Sequence, residues 1–590
     1  MTLKSFVDGP SEEIRGDAAY DTDVFVVGTG PMGATTALLL ATYGTRVTMI
    51  SRYRWLANSP RAHITNQRAA EVFRDADVED ELKRYAMPWD MMATTGFVPS
   101  LAGKEFARID SWGCGERRGD YAAASPSEPM DLPQTFLEPV LVNNAATRGA
   151  KVLFNTEYLS HEEDEQGVTV RLRDRVSGYE YSQRARFLVG ADGGNSLVAR
   201  DAGMTFQGTR GKSGTVYARF EADLTSLVAH RPGVITVMMQ PAMGDGDTGT
   251  GILRCVRPWT EWIAGWGFNP EAGDPDLSEE TAIKRIRSFI GVDDIDINFL
   301  GTSVWYVNEE YADVMSTQRV FIGGDAAHRH PPNNGLGSNT CVQDAFNLAW
   351  KLSYVVSGYA SPELLSSYSE ERQPVARAIV ERANQSRSEF AKLRGLFEQI
   401  VSQEEDLAEI LSSTDTEHEE VRGEFSRAVD LKKFEYQAHG FEMNQRYRSS
   451  AIVADDSVGE VFERDEVLYA QPSVAAGAKV PHVWVTDRTG RAVSTLDLTG
   501  TGKFTLITGL AGQSWVDAAH SLELPWLRTL VIGSEEARDL QGAWRTTTGL
   551  TERDALLVRP DGVIAWRGTD SSGDQEAIAR EIRAVVESIL

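Results

Sequence analysis

Apolar and polar positions change their rhythm several times along the chain, and each change marks a different kind of structure. "DVFVVGTGPMGATTALLLATYGTRVTMI", from Asp23 to Ile50, predicts a short buried strand, a glycine turn, a helix ending at Gly44 and a second strand. That is a βαβ unit and implies a parallel sheet. Two further apolar runs, "RFLVGADG" and "RVFIGGDAAH", predict strands ending at Asp192 and Asp325. Between Phe206 and Val304 the texture becomes alternating and aromatic ("TVYARFEADL", "EWIAGWGF"), as expected of a mostly antiparallel sheet. From Pro362 to Arg422 the pattern is charged and helical, including the acidic stretch "SQEEDLAEILSSTDTEHEE", read as a solvated face. Beyond Gly477 an α/β texture returns, with a hairpin predicted around Asp561 and Gly562.

A chain of 590 residues exceeds one hydrophobic core, so at least three domains are expected. The composition is that of a folded globular protein. With 59 basic against 86 acidic residues and a net charge of -27, nucleic acid and anionic membrane are poor partners. Three scattered cysteines (Cys114, Cys255, Cys341) suit neither a disulfide framework nor zinc. A polar leader of about twenty residues without an apolar core, and no run of 18 apolar residues, lead to the expectation of a cytoplasmic protein without membrane contact.

The first turn carries the sharpest chemistry. Gly28-Thr29-Gly30-Pro31-Met32-Gly33 fits G-x-G-x-x-G between a strand and a helix, where backbone N–H groups and the helix dipole favour a pyrophosphate. The acidic residue expected about 20 positions on is replaced by Ser51 followed by Arg52, which either weakens the ribose contact or hands it to one of these two.

Six ordered motifs then carry a resemblance. The glycine turn, "PRAHITNQRAAEVFRD", "LPQTFLEPVL", "FLVGADGGNSLVARDAG", "GGDAAHRHPPNNGLGSNTCVQDAFNLAWKL" and "LLSSYSEERQPVA" occur in the order seen in single-component FAD-dependent aromatic hydroxylases, in the branch of the phenol and dichlorophenol hydroxylases. The resemblance spans about residues 20 to 450. The tail from about 477 is similar to the thioredoxin-like C-terminal domain of that branch. It implies an α/β protein: a Rossmann-type FAD-binding domain (20–75, 112–205 and 315–360), a mostly antiparallel substrate domain (76–111 and 206–314), a helical segment (361–450) and a thioredoxin-like domain (477–590).

By the same resemblance Gly324 and Asp325 meet the FAD ribityl chain, and Pro332 shapes a loop beside the flavin ring. Gly335, Gly337, Ser338 and Asn339 then open a helix toward the ring's N1 and C2 carbonyl edge. Arg61, Gln134 and Asp192 are further cofactor contacts, and His63 stands where phenol hydroxylases carry the group that deprotonates the substrate. Tyr217, Trp262 and Trp266 are candidate walls of an aryl pocket; His328 and His330 are read as cofactor-side packing rather than a metal pair. The implied reaction uses FAD, NAD(P)H and O2 to hydroxylate a phenolic or hydroxy-heteroaromatic ring ortho to its hydroxyl, through a C4a-hydroperoxyflavin. A homo-oligomer is expected. Two alternatives stay open at this point: a tailoring hydroxylase of a polyketide or other aromatic natural product, and a non-hydroxylating FAD-binding protein.

Overall fold

The structure, a computed structural model, describes residues 19–211, 213–243, 247–454, 460–569 and 574–590. All but the last residue or two of the polar leader lie outside them.

The βαβ reading holds. Strands Thr22–Val27 and Val47–Ile50 flank the helix Pro31–Thr42 and pair in parallel. The sheet runs Lys151–Leu153, Val47–Ile50, Thr22–Val27, Glu180–Gly190, Val168–Asp174, Thr156–Glu163, with Val320–Ile322 also pairing Glu180–Gly190. Leu188 thereby lies between Phe25 and Val320. Val24, Phe25, Val26, Leu188, Val320 and Phe321 are fully buried, which is why these strands read as unbroken apolar runs. Two of the predicted strands stop earlier than expected. The one before Asp192 ends at Gly190, and Asp192 is used instead to cap the helix Leu197–Asp201. The one before Asp325 ends at Ile322, and residues Gly324–Ala326 turn as a short 3-10 segment.

The alternating region forms a seven-stranded sheet in the order Asn298–Tyr306, Gly214–Glu221, Glu261–Phe268, Asp247–Arg257, Ile235–Met239, Thr94–Val98, Ala107–Asp110. Every pair is antiparallel except Ile235–Met239 with Thr94–Val98. Side chains alternate as a strand requires. Val216, Ala218 and Phe220 join Ile286 and Phe289 of the helix Glu279–Ile290 in one core, whereas Thr215, Tyr217 and Arg219 line a large cavity.

The charged region is dominated by the helix Ser366–Ser402, whose Leu393, Phe397 and Ile400 enter the core of the second sheet. At the C-terminal end a four-stranded sheet runs Leu527–Ile532, Phe504–Gly509, Asp554–Val558, Ile564–Thr569, the first pair parallel and the others antiparallel. Helices Gln513–Ser521 and Gln575–Ile589 pack on it. Its core continues into Trp350 and Tyr354 of the helix Gly337–Val356. At the same junction Arg559 grips Glu371 through both carboxylate oxygens (2.5 and 2.9 Å), and Lys351 joins them at 2.9 Å, all fully buried.

Candidate active site

A cavity of about 1880 Å³ opens between the parallel sheet and the antiparallel one, large against the roughly 300–1,000 Å³ of an ordinary ligand pocket. Gly28, Gly30, Pro31 and Met32 line it. Gly28 has φ +114°, and a Cβ there would lie 2.1 Å from the Ala191 carbonyl oxygen, so no other residue fits this turn. Gly30 is different: a Cβ there would meet nothing closer than 3.9 Å, so its backbone is open to a ligand. The helix Pro31–Thr42 begins at Gly30 without a side-chain cap and without an acidic residue in its first turn. Its uncapped N–H groups and dipole suit an anion. Gly33 is not on the wall; its role is packing, since a Cβ there would press 2.0 Å from the Gly28 carbonyl oxygen.

Ser51, Arg52, Arg61, Gln134 and Asp192 also line the cavity. Gln134 donates to Glu138, whose other oxygen accepts from the Ala57 backbone N–H at 2.7 Å. Asp192 is engaged locally, accepting from Ser196 Oγ (2.5 Å) and the Leu197 and Val198 amides. Asp325 contributes an exposed carboxylate, and Pro332, Gly335, Gly337 and Ser338 follow it along the wall. The helix Gly337–Val356 likewise starts with no side-chain cap and no acid in its first turn.

Two residues expected beside the cofactor are placed behind this wall. Gly324 does not line the cavity; its N–H donates to Asp344 Oδ2 at 3.0 Å, and Asp344 also holds His328 (2.9 Å) and Arg372 (2.7 Å). Asn339 turns inward, accepting from the Asn66 amide and donating to the Ile64 and Gly335 carbonyls. Both support the turn rather than meet the cavity. His328 is buried behind the wall against Asp344, whereas His330, though buried, lines the cavity; its Nδ1 lies 2.7 Å from the Pro331 carbonyl, and burial pushes its pKa down to about 4.

His63 lines the same cavity and is 6% exposed. Its Nδ1 lies 3.2 Å from Asp131 Oδ1, and Asp131, fully buried, also accepts from Arg254. The other ring nitrogen, Nε2, has no hydrogen-bond partner. Burial lowers the His63 pKa from its ordinary value and Arg254 adds to this, against the opposing pull of Asp131 and the Pro60 carbonyl. The imidazole is therefore neutral near pH 7, with Asp131 favouring the proton on Nδ1. Arg254 is itself on the wall, and so is Tyr217, whose hydroxyl burial pushes up to about 12.

Asp131 and Arg254 were not expected from the sequence. The available signal was Arg254, a basic residue flanked by apolar ones inside "GILRCV", which calls for a buried counter-charge. Trp262 was expected on the aryl wall and is not there. It pairs with Phe220, on the opposite face from Tyr217, and its indole donates to the Ala222 and Trp259 carbonyls. Trp266 touches the cavity, although its strand position alternates with that of Gly265 and it packs near Arg285.

Two uncapped helix starts around one cavity, with an acidic turn and a buried histidine on its wall backed by the Asp131 carboxylate, suit a dinucleotide-dependent enzyme. Residues 21–383 match the FAD binding domain family and residues 473–588 the aromatic-ring hydroxylase C-terminal family. The chain is 46% identical to a 2,4-dichlorophenol 6-monooxygenase of Delftia acidovorans over 97% of its own length and 98% of the relative's. It is 40% identical to a phenol 2-monooxygenase of Pseudomonas sp. (strain EST1001), covering 97% and 93%. Its fold superposes with a TM-score of 0.90 on the flavin-dependent monooxygenase PieE in complex with FAD and substrate, at 37% identity, covering 96% of this chain and 99% of that one. The chain belongs to the FAD-dependent aromatic-ring hydroxylases, monooxygenases that draw their electrons from NAD(P)H. The residues present fit the cofactor: the open backbone at Gly30 and the two uncapped helix starts suit the phosphates and the flavin edge, and Asp325 offers an acceptor for a hydroxyl.

Proposed function

We propose that this enzyme hydroxylates a phenolic or hydroxy-heteroaromatic ring at the carbon ortho to its hydroxyl, with His63 as the base. The observation that carries this reading is the neutral, buried imidazole on the cavity wall, tied at Nδ1 to Asp131 and unpaired at Nε2. Nε2 takes the phenol proton; Asp131 fixes the tautomer and steadies the imidazolium that forms, and Arg254 balances the carboxylate. Ionisation pushes electron density onto the ortho carbon, which is where an electrophilic oxygen is accepted. FAD, reduced by NAD(P)H, supplies that oxygen from O2 when bound.

Gly28, Gly30 and Asp325 hold the cofactor in this reading, with Ser51, Arg52, Arg61, Gln134 and Asp192 around it and Pro332, Gly335, Gly337 and Ser338 along its ring. Tyr217 and Trp266 bound the substrate. The domain division is the one expected from the sequence, and the C-terminal unit is thioredoxin-like: its β-α-β then β-β-α order and strand arrangement support this. No cysteine lies beyond Cys341, so its role is packing or self-association, and we place the enzyme in the cytoplasm as a homo-oligomer.

The test is NAD(P)H oxidation by the FAD-loaded protein against a phenol panel that includes 2,4-dichlorophenol and polycyclic phenols, with products weighed by mass spectrometry. Substrate-stimulated oxidation and a product heavier by one oxygen are expected. Peroxide as the only product with every phenol contradicts the reading.

A further inference from the structure

We infer that Trp112 sets substrate specificity: its indole N–H binds a hydrogen-bond-accepting oxygen on the ring, at a position other than the reacting hydroxyl. The inference rests on the aromatic-substrate reading of the cavity given above.

Trp112 lines the cavity and is 5% exposed, yet its Nε1 has no hydrogen-bond partner. An indole nitrogen can only donate, and a buried donor left unpaired is costly enough to call for an explanation. Other tryptophans in the chain avoid this: Trp89, Trp262 and Trp515 each donate to a backbone carbonyl. Trp350 Nε1 is also unpaired, but it is sealed in the C-terminal core beside Tyr354 and Phe504, away from the cavity. An unpaired indole alone is therefore not a site; an unpaired indole on the wall of the substrate cavity is.

The backbone adds an independent observation. Trp112 has φ +54°, a conformation disfavoured for a bulky side chain. It is held there by its own N–H to the Tyr436 carbonyl and by Trp89 Nε1 to its carbonyl, both 2.8 Å, with Gly113 at φ +79° next in the chain. Its ring stands edge-on to Tyr436, centroids 5.8 Å apart. The backbone bonds and the Tyr436 ring hold in place a donor that no protein atom uses.

The reacting hydroxyl is already served, its proton passing to His63 Nε2. Trp112 therefore reads a second substituent. Hydroxyl, carbonyl and nitro oxygens qualify; chlorine and alkyl groups accept poorly.

The experiment compares wild type with W112F and W112H, the latter retaining a ring N–H. Ring binding to the FAD-loaded enzyme is read from the change in flavin absorbance without NAD(P)H, and kcat/KM is measured in parallel. Matched pairs are resorcinol against meta-cresol, and a hydroxyacetophenone against the isopropylphenol of the same pattern. W112F is expected to weaken the oxygen-bearing member by roughly 5- to 150-fold and the other by less than about 2-fold, with FAD retention unchanged and partial recovery in W112H. Equal loss for both members, a wild type that does not discriminate within the pairs, or a fall in FAD retention overturns the inference. Because binding is read without turnover, a protein that discriminates these rings but hydroxylates none sinks the proposed reaction and not the role of Trp112.

Discussion

At the scale of single residues, the proposed role of His63 as base depends on what holds each of its two nitrogens. With Nδ1 against Asp131, the free lone pair is left on Nε2, and burial keeps the ring neutral at working pH. Because its pKa is lowered, protonation and loss of activity come only as pH falls through that lowered value. The acidic limb of kcat/KM is therefore expected below about 6.5, the ordinary imidazole value, and a limb above it contradicts the assignment. H63Q is expected to lower kcat roughly 10²- to 10⁴-fold at neutral pH. Phenols acidic enough to ionise unaided should lose least, as a rate series over ring substituents would reveal. D131N strands Arg254 in the interior and is expected to cost about 3–5 kcal/mol in a denaturant titration, beyond its effect on rate. His63 was legible because it stands inside a motif. Asp131 was not, because its partners lie 68 and 123 positions away and a carboxylate in a two-residue strand carries no local signal.

At the scale of elements, the parallel strands and the glycine turn were legible because burial on both faces writes an unbroken apolar run and the turn tolerates only glycine. Gly28→Ala is expected to abolish FAD retention on a desalting column, since the added methyl meets the Ala191 carbonyl. The antiparallel sheet was legible as a sheet but not in which face each aromatic takes. Tyr217 pairs with Gly265 and Phe220 with Trp262, so the odd separation of Tyr217 and Phe220 sends Trp262 to the opposite face. The helix His439–Met443 carries a different consequence. Burial pushes Glu442 up to about 8, above its ordinary 4.5, so the folded state prefers the protonated acid. Its contribution to stability is complete below the ordinary value and is lost as pH rises through about 8. Thermal melts of E442Q should lack this decline relative to wild type; parallel curves contradict it.

At the scale of the whole molecule, one helix links the parts. Gly337–Val356 begins at the cavity with Gly337 and Ser338, receives the Gly324 turn through Asp344, and ends in the core of the C-terminal sheet with Trp350 and Tyr354. Arg559, Glu371 and Lys351 lock that junction with fully buried charges. R559L is expected to cost about 3–5 kcal/mol by leaving Glu371 short of its partner, and to weaken FAD retention with it because the helix start moves. A melt showing lost stability with FAD held as tightly as in wild type would separate the two effects and contradict the coupling. This linkage was invisible in the sequence, where "LVRPDG" reads only as a strand and a turn.

The most direct test of the account is the ionisation of a phenol bound to the oxidised, FAD-loaded enzyme, followed by ultraviolet difference absorbance against pH in wild type and H63Q. The bound phenol is predicted to ionise well below its pH in free solution in wild type and to return toward the free value in H63Q. The same ionisation in both proteins would contradict the assignment of the proton to His63.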